Sequence, residues 1–155
     1  MRLPVPAAPG SYALELILPE PAQFAVGRLG VFDFPAGQYF YFGSAHGPGG
    51  LRARLAHHLR TALRPHWHVD FLRAYADVRQ VWWAEGQEPL ECSWSRAAAR
   101  LPGAFVPAPG FGASDCLMGC ASHLVGLAEG VAAVEIHAAL TQAVPAAFVQ
   151  RCANE

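Results

Sequence analysis

Between Asp33 and Asp70 the chain carries no acidic residue, yet that stretch holds Arg52, Arg54, Arg60 and Arg64 with His46, His57, His58, His66 and His68. The net charge is only -1, but a nucleic-acid backbone responds to the local field rather than to the average. Arg52, His57, Arg60, Arg64, His66 and His68 are therefore candidate DNA contacts. Further along, Cys116, Cys120 and His123 follow a Cys-x3-Cys-x2-His spacing, and with Cys92 they offer four zinc-type ligands. Buried core thiols are the competing explanation. His66, His68 and Asp70 alternate: on a strand they would share a face and could bind a metal, as in a small zinc metallohydrolase, whereas on a helix alternate residues diverge by about 200°. Helix is the expectation here, with a structural or DNA-contacting role for both histidines and Trp67 packed inward.

Composition removes several alternatives. With no lysine in the chain, Schiff-base chemistry and the Walker-type phosphate grip are both excluded. At 155 residues, 53% hydrophobic and 15% charged, the chain is expected to form one globular core rather than a disordered segment. No apolar run reaches the roughly 18 residues of a membrane span, so no membrane association is expected. The segment Met1 to Gly10 lacks the apolar region of a secretory signal, which places the protein in the cytoplasm and makes its four cysteines reduced thiols or metal ligands rather than a disulfide framework.

These residues need elements to position them. Tyr12 to Leu18 reads as a first strand closed by Pro19 and Pro21, and Phe24 to Phe34 as a short hairpin or irregular strand. Tyr39 to Gly43 is a second main strand. Leu51, Leu55, Leu59 and Leu63 recur every four residues and predict a helix over Leu51 to Leu63, with Arg54, His57, His58 and Thr61 on one polar stripe and Arg52 nearer the leucines. The preceding Gly47 to Gly50 loop could let a phosphate approach the helix start. A second short helix is expected over His66 to Ala76. Val78 to Ala84 reads as a strand with Trp82 and Trp83 on opposite faces, one of them turned outward where it could stack on a base. A third helix is expected over Leu90 to Leu101, then a loop over Pro102 to Gly112, a short strand over Ser122 to Leu127, and a C-terminal helix from Val131 broken near Pro145. The fold class is α+β, a small, mostly antiparallel sheet flanked by helices, with a main domain over residues 1–128 and a helical extension over 129–155 packed on it.

The strings GSYALEL, FPAGQYFYFGSA, GPGGLRARLAHHLR, RPHWHVDFL, LEC and GFGASDC with SHL follow one another in an order that resembles the Uri-type branch of GIY-YIG nucleases. The resemblance covers Gly10 to Leu127. It implies a GIY-YIG nuclease-like fold and an active site of two tyrosines on adjacent strands, Tyr12 and Tyr41, with Arg54 on the following helix, His58 one turn later, and Glu91. It further implies divalent-metal-dependent DNA endonuclease activity, with Glu91 binding Mg²⁺ or Mn²⁺, a tyrosine hydroxyl positioning or deprotonating water, and Arg54 neutralising phosphoryl charge. A repair or processing role with a repair-protein partner follows by the same analogy, while a non-catalytic nucleic-acid-binding module with the same fold is the alternative. The asparagine often found late in that site has no counterpart, because Asn154 is the only asparagine.

Overall fold

The computed structural model describes residues 4–60 and 64–154. In chain order its elements are β1 (Gly10–Leu18), β2 (Ala22–Ala25), β3 (Val31–Phe34), β4 (Gly37–Ala45), α1 (Gly50–His58), α2 (His68–Arg73), β5 (Asp77–Glu85), α3 (Glu91–Ala99), β6 (Ala104–Phe105), β7 (Leu124–Leu127), α4 (Ala133–Ala143) and β8 (Gln150–Ala153). Six strands form one sheet in the order β6-β7-β4-β1-β5-β8, and every neighbouring pair is antiparallel. Strands β2 and β3 form a separate two-stranded hairpin, the first of the two alternatives read over Phe24 to Phe34. The architecture is the α+β class that the pattern of elements predicts.

The β1–β4 register sets Tyr12 opposite Gly43 and Leu14 opposite Tyr41. Side chains alternate across a strand, so both tyrosines project to the same face. That face holds Leu14, Leu16, Leu51, Leu55, Val69 and Leu72 in one core, under α1, α2 and the hairpin. The opposite face holds Phe40, Phe42, Trp82, Trp94, Ile136 and Leu140 in a second core, under α3 and α4. Because both faces are covered, Trp82 and Trp83 are both buried. The expectation that one of the pair faces solvent is thereby overturned. Covered faces also explain why β1 reads as a nearly continuous apolar run. Its one charged residue, Glu15, is buried but accepts two N–H bonds from Arg79 at 2.9 and 2.8 Å, the bidentate geometry that best satisfies a carboxylate.

Helix α1 stops at His58, with Leu59 as its C-cap; Thr61 and Leu63 lie outside the described residues. Besides Gly50 at its start, its buried positions are Leu51, Leu55 and His58, an i, i+4, i+7 stripe. His58 therefore leaves the polar stripe expected of it and takes a core position. At the N-terminus of α1, the Leu51 and Arg52 N–H groups donate to the carbonyls of Ala8 and Pro6 at 2.9 and 3.1 Å. The chain's own N-terminal segment thus occupies donors that the loop was expected to offer a phosphate. Helix α2 is shorter than predicted.

The last segment differs from the helical extension expected over 129–155. Its helix α4 covers the second core through Ile136 and Leu140, and β8 then pairs with β5, Cys152 opposite Val81. Asn154 continues that pairing, its side chain donating to the Val78 carbonyl at 2.8 Å. Within the segment expected to be loop, β6 forms a two-residue pairing with β7. Among the described residues no helix is long and apolar enough to cross a membrane.

Candidate active site and adjoining metal-ligand cluster

Tyr12 and Tyr41 bring their rings to 6.3 Å between centroids. The Tyr12 hydroxyl passes directly beneath Gly43, where a Cβ would stand 2.4 Å from its oxygen. It bonds His58 Nε2 at 2.8 Å. Burial pushes the Tyr12 hydroxyl up to about 12, against the pull of the Arg54 guanidinium. Burial, with Tyr12 beside it, also raises Tyr41 well above the ordinary tyrosine value. Both remain phenols at neutral pH, suited to donating or relaying a proton.

Above this floor opens a cavity of about 710 Å³ whose lining includes Tyr41, Gly43, Ser44, Arg54, Trp67 and Glu91. Arg54 donates to the Ser44 carbonyl at 3.0 Å, and its guanidinium lies 4.2 Å from the centre of the Trp67 ring, a cation–π arrangement that fixes the plane of the fork. Trp67 is thus a cavity wall as well as a partner of the core, not simply packed inward. Glu91 opens α3 and accepts a hydrogen bond from the Ser44 hydroxyl. Ser44 lies 3.1 Å from the Ser11 hydroxyl, which accepts the Leu90 N–H at 2.8 Å. This serine pair pins the start of α3 to β1 and β4, and so places Glu91.

Of the residues singled out from sequence, Tyr41, Arg54 and Glu91 converge on the cavity, with Tyr12 immediately below. His58 does not share the cavity with Arg54; it is fully buried behind Tyr12. Arg52 turns to the N-terminal segment, its Nε donating to the Val5 carbonyl at 3.0 Å. Arg60, Arg64 and His66 are exposed. His57 bonds Asp70 at 3.0 Å, and His68 Nδ1 accepts the Gly112 N–H at 2.8 Å, its pKa lowered by burial. His66, His68 and Asp70 consequently do not assemble into the metal site that a strand would have given them. Ser11 and Ser44 were missed as site residues, and Asp70 was singled out only as a metal ligand beside His66 and His68, not as the partner of His57 and His58.

A second group adjoins the cavity. The ligand atoms of Cys92, Cys116, Cys120 and His123 all lie within 4.8 Å of one another, with Cys92 Sγ 3.6 Å from both Cys116 Sγ and His123 Nε2. Tetrahedral zinc with Zn–S bonds near 2.3 Å would set its sulfurs roughly 3.8 Å apart. These side chains can hold a metal ion. Burial and the neighbouring thiols of Cys120 and Cys116 push the Cys92 thiol up to about 12, and burial lowers His123. Cys92 follows Glu91 on α3, so one helix serves both sites. Gly112, at φ +69°, presses the cysteine-bearing loop onto the sheet: a Cβ there would lie 2.8 Å from Tyr41 Cε1 and 3.3 Å from His123 Cβ.

Fold and site together define an α+β domain with a cavity walled partly by Cys92, Cys116 and His123 of the three-cysteine, one-histidine cluster. The chain belongs to the family described as domain of unknown function DUF123, whose model matches residues 11–145. The match runs from β1 to just past α4, across the division at residue 128. No curated protein and no solved structure matches the chain.

Proposed function

We propose that the chain is a divalent-metal-dependent endonuclease of GIY-YIG type that hydrolyses phosphodiester bonds in DNA, and that its cysteine–histidine cluster holds structural zinc. The observation that carries the reading is the meeting of Tyr41, Arg54 and Glu91, from three separate elements, on one cavity, with Tyr12 buried immediately beneath it. Mg²⁺ and Mn²⁺ suit this donor set, because Mg²⁺ is commonly held by one or two carboxylates plus the substrate's own phosphate oxygens. Bound at Glu91, such a cation would polarise the scissile phosphate as a Lewis acid. Arg54 binds phosphoryl oxygens through its planar fork, held in plane by Trp67 and the Ser44 carbonyl. Tyr41, on the cavity wall, positions the attacking water, with Tyr12 buried behind it. A repair or processing role with a repair-protein partner and a cytoplasmic location belong to the same proposal.

The test is incubation of the purified protein with single-stranded, duplex and branched DNA plus Mg²⁺ or Mn²⁺, with Glu91→Ala as control. Cleavage should require the metal and should fall by about 10²-fold or more in the variant, the scale of a lost charge-stabilising group. Equal cleavage by Glu91→Ala would assign the activity to another site or to a contaminant.

A further inference from the structure

The hydrogen-bond chain behind the cavity ends on a residue that has no part in the reading above. Asp70 is 2% exposed, and its two oxygens have different work. Oδ2 accepts the His66 and Trp67 N–H groups at 2.8 and 2.9 Å, capping α2, and contacts His57 Nε2 at 3.0 Å. Oδ1 makes none of these contacts; it faces His58 Nδ1 at 3.5 Å, and both atoms are buried without a hydrogen-bond partner. A carboxylate oxygen only accepts. The His58 nitrogen that faces it must therefore carry the ring proton, which leaves the Nε2 lone pair pointing at the Tyr12 hydroxyl 2.8 Å away.

We infer that Asp70 is a positioning residue that fixes His58 as the Nδ1–H tautomer, so that Tyr12, buried just beneath the cavity, donates its proton away from the cavity and turns an oxygen lone pair toward it. The inference rests on the nuclease reading for its chemical use. As the water oxygen bonds to phosphorus, a water proton passes to Tyr12 Oη and the Tyr12 proton passes to His58 Nε2. The bond from phosphorus to the leaving sugar oxygen breaks, and that oxygen takes a proton from solvent. The imidazolium that forms faces the Asp70 carboxylate, the logic by which a buried aspartate orients and supports a histidine base. The charged or titratable groups facing His58 are Tyr12 and Tyr41 from the sheet, Arg54 and His57 from its own helix, and Asp70 from α2.

The substitution Asp70→Asn separates this role from capping. The two backbone N–H donors on Oδ2 require the amide oxygen there, which turns the NH2 group toward His58 Nδ1. That nitrogen must then accept, the proton moves to Nε2, and Tyr12 can no longer donate to it. Two-bond ¹H–¹⁵N correlation spectra of the full chain without DNA should show the Nδ1–H tautomer for wild-type His58 and the Nε2–H tautomer for Asp70→Asn. Cleavage kcat should fall about 10²- to 10⁴-fold with KM for DNA little changed, and the acid limb of the pH profile should move to lower pH, since burial already holds the His58 pKa below its ordinary value and Asp70 is the group that works against that lowering. An Nε2–H tautomer in the wild type overturns the inference, even if the variant fails to fold. So does a flipped tautomer in Asp70→Asn with kcat intact. A wild-type chain with the expected tautomer and no cleavage of any DNA would sink the nuclease reading instead, leaving the positioning role standing.

Discussion

Tyr12 and Gly43 face each other across the β1–β4 ladder so closely that the tyrosine hydroxyl occupies the volume a side chain at position 43 would need. Gly43→Ala must either push Tyr12 off His58 or spread the two central strands. Overpacking of this kind costs about 1–3 kcal/mol. Urea denaturation should show that loss, and cleavage should fall with it. An alanine variant of unchanged stability and activity would mean that Tyr12 has another place to go.

Arg54→Lys keeps the charge in the cavity but gives up the planar fork and its stacking on Trp67. Lysine is a point charge and does not reproduce a bidentate contact. Its cleavage rate should drop by about 10²-fold, with binding of DNA in the absence of metal much less affected. Activity near that of the wild type would show that position 54 supplies charge alone.

The cluster of Cys92, Cys116, Cys120 and His123 should yield about one zinc per chain by elemental analysis, as four-ligand structural sites do. Removing it with a chelator, or by Cys116→Ser, should release the loop from α3. A loss of about 3 kcal/mol would lower Tm by roughly 6–12 °C. Because Cys92 must surrender a proton held up to about 12, metal affinity should weaken as pH falls, readable by chelator competition at two pH values. A purified protein without bound metal and indifferent to chelators would remove the site.

Stability should also depend on pH through Asp70. Burial works to raise this carboxyl, but the hydrogen bonds from His58, His57 and two backbone N–H groups win and hold it well below the usual carboxylate range. The folded value being depressed, its stabilisation is complete above the unfolded pKa and disappears as pH falls through the folded one. Urea midpoints measured from neutral pH into the acid range should therefore fall less steeply for Asp70→Asn than for the wild type. Parallel curves would contradict the assignment.

The residues that sequence made legible are those fixed by local pattern. YALELIL gave away the first strand, and the Cys-x3-Cys-x2-His spacing brought two loop cysteines and His123 together, with Cys92 joining them from α3. Position His58 misled because, seven residues after Leu51, it lies only about 20° from that leucine around the helix, at the border between the buried stripe and the polar one. Trp82 and Trp83 misled because alternation reports two faces but cannot say that both are covered. Asp70 was readable only as a neighbour of His66 and His68; its real partners lie on α1, brought near by the packing of two helices. Ser11 and Ser44 share the same obscurity, since a hydroxyl acquires its purpose only when a distant carboxylate and a helix end arrive beside it.

The family match ends at Val144–Pro145, before β8 begins at Gln150. Yet β8 lies along the outer border of β5, the strand that carries both buried tryptophans. A chain cut at the end of the matched region would present that apolar strand with a row of unpaired backbone donors and acceptors, a template for adding further copies edge to edge. The final strand supplies a different border, short and carrying exposed Arg151, which discourages such pairing. The last strand thus closes the apolar border of β5 with a shorter, charged one.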